Sequence, residues 1–207
     1  MRRIRLYICV LAFVGILSAC DNSKRDSERW LREGLALVNK GDSITRDECV
    51  EAQSLFAWAI EQDVGNMDVY FHKTLCDLLL WEPESAYRTA GEALKQIGNG
   101  DHYLKPYFLT VRGMIDYDRK EMNLSRKSLE EALKIYEQRI SRNPVNLDNI
   151  LNKSILLISL GRKEDAEDFI NNLPQKQEDK DLLSRMAREY DPDDFGISWR
   201  EKNAALK

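Results

Sequence analysis

The side chains with the richest chemistry in this chain of 207 residues are four cysteines and two histidines. The cysteines are Cys9, Cys20, Cys49 and Cys76, and the histidines are His72 and His102. None falls in a His/Cys/Asp/Glu cluster with the spacing of a metal site. No glycine-rich phosphate loop follows a strand pattern. Serine is common, yet no Ser-His-Asp arrangement is suggested. The stretch Asp191-Pro192-Asp193-Asp194-Phe195-Gly196 lacks the alternating ligands and terminal glutamate of a calcium loop, and reads as an acidic turn after a helix. A protein without catalytic residues, metal or cofactor is the expectation. The reactive residue that stands out is Cys20, at the end of an apolar run and before the polar stretch Asp21-Asn22-Ser23-Lys24-Arg25-Asp26.

The elements around Cys20 give it a context. Arg2, Arg3 and Arg5 make a positive start, Leu6 to Leu17 is almost wholly apolar, and Ser18 and Ala19 are small. That order is the layout of a secretory signal peptide over residues 1–19. The apolar run is too short for a bilayer span, which takes ~20 apolar residues. The run Leu17-Ser18-Ala19-Cys20 resembles the lipobox of bacterial lipoproteins. The resemblance implies that Cys20 is lipidated on sulfur, becomes the mature N-terminus and is then acylated on nitrogen, palmitate being the expected chain. The plainer alternative is an ordinary signal peptide that happens to end in a cysteine. One acyl chain binds a membrane marginally and two or more anchor stably, at ~0.8 kcal/mol per buried CH₂. Residues 20–26 then read as a lipidated tether, with Ser27 as a candidate helix N-cap. Asp21 behind the lipidated cysteine resembles an inner-membrane retention signal of enteric-type bacteria, with the outer membrane as the alternative. The expected location is the periplasmic face of the cell membrane.

Charge narrows the partners. Three of the 31 basic residues and none of the 35 acidic ones lie in residues 1–19, so the remainder carries a formal charge of −7. That argues against nucleic acid, which asks for a basic face, and against a polybasic grip on anionic lipid. Charged residues at 32% and hydrophobic ones at 43% suit a soluble globular domain with a substantial core.

From Trp30 onward aliphatic residues recur at helical spacing with sparse proline and glycine, which predicts an all-α fold. The helices come in similar pairs. The clearest is Asn143-Pro144-Val145-Asn146, a helix from Leu147 to Leu160, Gly161-Arg162, and a helix from Lys163 to Leu173. Small residues stand twelve apart in three pairs: Thr74 and Ala86, Gly113 and Ser125, Ser154 and Ala166. Trp81 stands where the turn glycine is expected in the second pair, and Asp116 takes a position that is usually aromatic in the third. These pairs resemble tetratricopeptide (TPR) repeats, whose period is near 34 residues. The resemblance implies a right-handed TPR solenoid of about four helix-turn-helix repeats over 27–173, namely 27–64, 67–100, 106–142 and 147–174. A capping helix over 175–190 and a tail over 191–207 would follow.

In such a stack, helix B of one repeat packs antiparallel on helix A of the next. Cys49 and Cys76 would then face one another with an offset of three residues, ~4.5 Å of rise. A disulfide and two buried thiols both remain open, because a bridge needs Cα atoms within ~7 Å.

The resemblance also implies a concave groove lined by helices A. Its positions are Leu31, Leu35 and Val38, then Phe71, Leu75 and Leu78, then Tyr107, Met114 and Tyr117, and finally Leu151, Ile155 and Ile158. The basic and asparagine residues that clamp a peptide carboxylate in some members are missing. An apolar groove favours an amphipathic helix or an extended hydrophobic peptide, and some of these residues must instead pack helix on helix. The tail residues Phe195, Ile197 and Trp199 are a further candidate occupant. The expected function is that of a membrane-anchored scaffold or assembly factor binding another envelope or exported protein. The alternative is an immunity lipoprotein that neutralises a toxin.

Overall fold

The structure is a computed structural model and describes residues 22–39 and 44–190. Among these residues the chain forms nine helices and no strand, so the fold class is all-α. They are α1 (22–38), α2 (Arg46–Gln62), α3 (Met67–Leu79), α4 (Pro83–Ile97) and α5 (Lys105–Asp118), followed by α6 (Met122–Arg142), α7 (Leu147–Ser159), α8 (Lys163–Asn171) and α9 (Gln177–Glu189). No helix among them is long and apolar enough to cross a membrane. Residues 1–21, Cys20 included, and the tail 191–207 lie outside the described residues. Two compact units divide within α3, the first ending at Cys76 and the second beginning at Asp77.

The first unit is built on an antiparallel pair. Ser23 lies beside Gln62, Trp30 beside Trp58 and Gly34 beside Phe56, so α1 descends as α2 rises. Gly34 is small for a reason: a Cβ there would stand 2.5 Å from Phe56 Cε1. Thr45 starts α2 with a full capping box, its Oγ1 accepting from Glu48 N at 3.3 Å while Glu48 Oε2 accepts from Thr45 N at 2.8 Å. Ala52, Phe56, Ala59, Val69 and Cys76 form the core, with Trp30, Leu31, Leu35 and Val38 packed against it.

Two sequence-based expectations change here. Ser27 is not an N-cap: it sits inside α1 and is fully buried, because the helix already runs from residue 22. The segment 20–26 is therefore not an extended tether throughout, since 22–26 are helical and an Asp26–Arg29 pair supports that turn. Cys49 and Cys76 are both buried and carry no bridge. The stacking of Phe56 on His72 sets the register of α2 on α3. In that register the level of Cys49 lies about three residues beyond Cys76, ~4.5 Å of rise on top of an interaxial distance of ~8–10 Å.

The second unit repeats one turn. Trp81, Lys120 and Gly161 all take left-handed φ values, of 59°, 64° and 74°. Their N–H groups donate to Leu78, Tyr117 and Ile158 carbonyls at 3.0, 2.9 and 2.8 Å. The next N–H groups, of Glu82, Glu121 and Arg162, donate to Asp77, Asp116 and Leu157 carbonyls at 2.7, 2.9 and 2.8 Å. This is the Schellman arrangement, which satisfies the last carbonyls of a helix. α3, α5 and α7 all end in it, so Trp81 and Lys120 hold the turn that glycine holds once. The small residues twelve apart (Thr74 and Ala86, Gly113 and Ser125, Ser154 and Ala166) are all buried. A Cβ on Gly113 would stand 2.6 Å from Leu129 Cδ2, which shows how closely α5 and α6 approach. The turns recur after 39 and 41 residues, more than the expected 34, because the connection between α4 and α5 and the last turns of the 21-residue α6 add length.

Contacts between α4 and α5 run antiparallel from Gly98 and Lys105 to Tyr87 and Asp116. The core joins Leu109, Leu129, Leu133 and Tyr136 to Ile150, Leu156, Ala166 and Ile170, and α9 closes it with Leu183 and Tyr190.

Candidate functional site

The expected groove residues divide by how much surface they keep. In the first unit Leu31, Leu35 and Val38 are half-buried against the core, so packing accounts for them. Phe71 and Leu75 are half-buried on α3, Phe71 meeting the His72 ring edge-on at 5.0 Å. Leu78 is buried. In the second unit Tyr107, Tyr117, Leu151 and Ile155 are half-buried, Leu151 packing on the core.

Met114 and Ile158 are corrections to the groove. Met114 is 3% exposed and Ile158 8%, so neither offers its side chain to a peptide. The cause is α9. Its last residue is followed by Tyr190, whose hydroxyl lies 3.2 Å from Ser159 Oγ and 3.7 Å from Met114 Sδ. One aromatic side chain thus reaches both α5 and α7 and covers part of the face expected to be open. Next to it a hollow of about 260 Å³ stays open, lined by Tyr117, Met122, Arg126, Leu129, Ile158 and Ser159 among others.

A polar constellation between α4 and α5 escaped the sequence reading. Arg112 donates to Tyr87 Oη at 2.6 Å, and Tyr87 donates to Asp116 Oδ2 at 3.5 Å. Arg119 lies 3.6 Å from Asp116 Oδ1 and also donates to Glu84. Both guanidinium groups lie over the Tyr87 ring, with Cζ 4.3 and 4.2 Å from its centroid. Burial raises the Asp116 carboxyl above its ordinary value, against the Tyr87 hydrogen bond and the charges of Arg112 and Arg119. The bond from Arg119 holds Glu84 below the usual carboxylate range. The available signal was the spacing of Arg112, Asp116 and Arg119, one and then nearly two turns along one helix face. Asp116 is 2% exposed, so its carboxylate serves to tie α4 to α5, while the Glu84 carboxylate at the edge of the network is exposed.

The other titratable candidates are internal. His72 stacks on Phe56 at 5.8 Å, and burial lowers its pKa while Asp68 opposes the shift. Nδ1 of His102 accepts from the Leu104 N–H at 3.2 Å, a local turn contact. Burial pushes the Cys49 thiol up, with Glu48 adding to the shift and Arg46 opposing it. Among the described residues no group of three or more His, Cys, Asp or Glu could hold a metal ion.

Compared with protein-family models and with curated proteins, the chain matches none.

Proposed function

We propose that this protein is a lipid-anchored, non-enzymatic scaffold with TPR-like repeats that binds another exported or envelope protein in the bacterial periplasm. The observation that carries the reading is the threefold helix–Schellman turn–helix unit with buried small residues twelve apart. Stacked hairpins of this kind form a right-handed solenoid, and solenoids present extended faces for recognition. The lipobox-like run ending at Cys20 supplies the anchor, and the short connection to the helix at residue 22 keeps the first helices close to the lipid. The contact residues are Phe71 and Leu75 in the first unit and Tyr107, Tyr117 and Ile155 in the second, which are apolar or aromatic and keep part of their surface.

Crosslinking in intact cells, followed by detergent capture, identifies the partner. Phe71→Glu and Tyr117→Glu should each reduce capture at least tenfold while helical content stays at the parent level. Undiminished capture in both variants sinks the recognition model. Cys20→Ser should move the protein from the membrane to the soluble periplasmic fraction and abolish palmitate incorporation, and unchanged membrane recovery sinks the anchor. The formal charge of −7 favours a second reading, an immunity protein for a basic toxin. Stoichiometric inhibition of such a toxin by the isolated protein distinguishes it from a scaffold.

A further inference from the structure

One end of the first unit holds both the start of α1 and the finish of α2, where Ser23 Oγ and Gln62 Oε1 lie 3.4 Å apart. Two peptide steps separate Asn22, at the start of α1, from Cys20, a span of at most ~7 Å. The same end carries apolar side chains that the core does not cover. Trp58, one turn before Gln62, is 49% exposed, and Val64, in the turn to α3, is 51% exposed. The inward side of α2 is filled instead by Ala52, Phe56 and Ala59. Trp58 meets Trp30 edge to face with ring centroids 5.4 Å apart, and the Arg29 guanidinium lies 4.4 Å from the Trp30 centroid. Tryptophan favours the headgroup level of a bilayer, where one part of the ring is apolar and the other wet. Farther from this end, the face of α2 that bears Trp58 turns acidic. Glu51 and Asp47 line the same shallow hollow as Trp58, ~10 and ~16 Å away along the helix. Around the end itself Lys24, Arg25 and Arg29 are matched by Asp26, Glu28, Glu61 and Asp63, so there is no cationic excess.

We propose that this end of the first unit is a membrane-seating surface, a reading that rests on the lipid anchor at Cys20 proposed above. Once Cys20 is held in the bilayer, Trp58, Trp30 and Val64 lodge among the headgroups of zwitterionic phospholipid. Arg29 keeps its charged end in the headgroup layer beside the Trp30 ring. Glu51 and Asp47 stay in water and confine the contact to this end. The attraction is aromatic and apolar, so it does not depend on ionic strength. The seating fixes how the first unit stands on the bilayer, which the anchor alone does not do.

The test uses the full lipidated chain, purified in detergent and reconstituted into phosphatidylcholine vesicles. Part of the phosphatidylcholine is brominated on the upper acyl chain, so that it quenches tryptophan at headgroup depth. Trp30→Phe, Trp81→Phe and Trp199→Phe leave Trp58 as the only tryptophan of the four. If that variant loses helical content, the parent compared with Trp58→Phe reads the same signal by difference. Trp58 emission should shift to the blue on reconstitution and fall about twofold with brominated lipid, as expected for a ring at the interface. Molar sodium chloride should leave both effects in place. A vesicle-bound chain whose Trp58 emission is unshifted and unquenched overturns the seating and leaves the anchor standing. A blue shift without quenching assigns Trp58 to a protein contact and also overturns it. Quenching that disappears in molar salt replaces it with an electrostatic contact. A chain that carries no acyl group on Cys20 by mass spectrometry overturns the anchor, and the seating falls with it.

Discussion

At Gly113 the two effects of adding a methyl group have opposite signs. Alanine in a helix interior is favoured over glycine by about 1 kcal/mol. The added Cβ, however, would stand 2.6 Å from a side-chain carbon of Leu129 and 3.3 Å from the Ser125 carbonyl oxygen. Leu129 is 1% exposed, and the Ser125 oxygen belongs to the backbone of α6, so neither yields freely. Overpacking of this kind costs roughly 1–3 kcal/mol, so it wins. Gly113→Ala should lower unfolding stability by about 1 kcal/mol in denaturant titration, and a stabilised variant would show that α5 and α6 are not in close contact. His72 gives a pH-dependent counterpart. Its folded pKa is depressed, so its contribution is present above the unfolded value of about 6.5 and is lost as pH falls through the folded value. His72→Gln, which cannot take up the proton, should flatten the loss of stability between pH 7 and pH 5 relative to the parent. Parallel curves for the two proteins would contradict the burial of that ring. The cysteines give the third case. In a Cys9→Ser, Cys20→Ser background the two buried thiols should resist alkylation in the native chain. Both should titrate after unfolding without reductant, whereas fewer than two would reveal a bridge.

At the scale of the element, the turn that closes α5 is the informative case. Lys120 holds φ at 64°, a region that disfavours side chains by roughly 1–2 kcal/mol. Its ammonium lies 5.4 Å from the Tyr117 ring centroid, an exposed contact that returns about 0.5 kcal/mol. Glycine also loses more backbone entropy on folding, which cuts the gain further. Lys120→Gly should therefore stabilise the protein by about 0.5 kcal/mol in thermal or denaturant unfolding, and a loss of stability would show that the turn is not strained. Trp81 takes the same φ region but is partly buried, so replacing it exchanges strain for lost packing. The helices themselves were legible because their caps and stops are local. Asn146 caps α7, its Oδ1 accepting from the Asn149 N–H at 2.8 Å, and Gly161 follows the end of the helix. Pro83 sits in the first turn of α4, where its missing N–H has no helical partner to serve. The start of α1 was misplaced because the Ser27 hydroxyl suits an N-cap by type. Only the neighbouring α2, with Gln62 beside Ser23, shows that the helix begins earlier.

For the whole molecule, charge and burial set the terms of recognition. With a formal charge of −7 outside residues 1–19, the protein should not bind duplex DNA even at low salt, where counterion release is strongest. Salt-sensitive retention on DNA would overturn that reading. The all-α class, the pairing of helices and the positions of the small residues were set by the sequence alone. Helical periodicity, caps and twelve-residue spacings are properties of neighbouring residues and survive without knowledge of the fold. The address at Cys20 is likewise a reading of consecutive residues, and the described structure does not reach it. Tertiary structure decided which apolar residues remain available. Periodicity marks the apolar face of α5 but does not say that Tyr190, seventy-six positions later, covers Met114 on it. It also could not place Tyr87 between Arg112 and Arg119, because that contact depends on how α4 lies against α5. Local patterns fix helices through short-range backbone bonding. Which surface is left open depends on long-range packing, and no window of consecutive residues contains it.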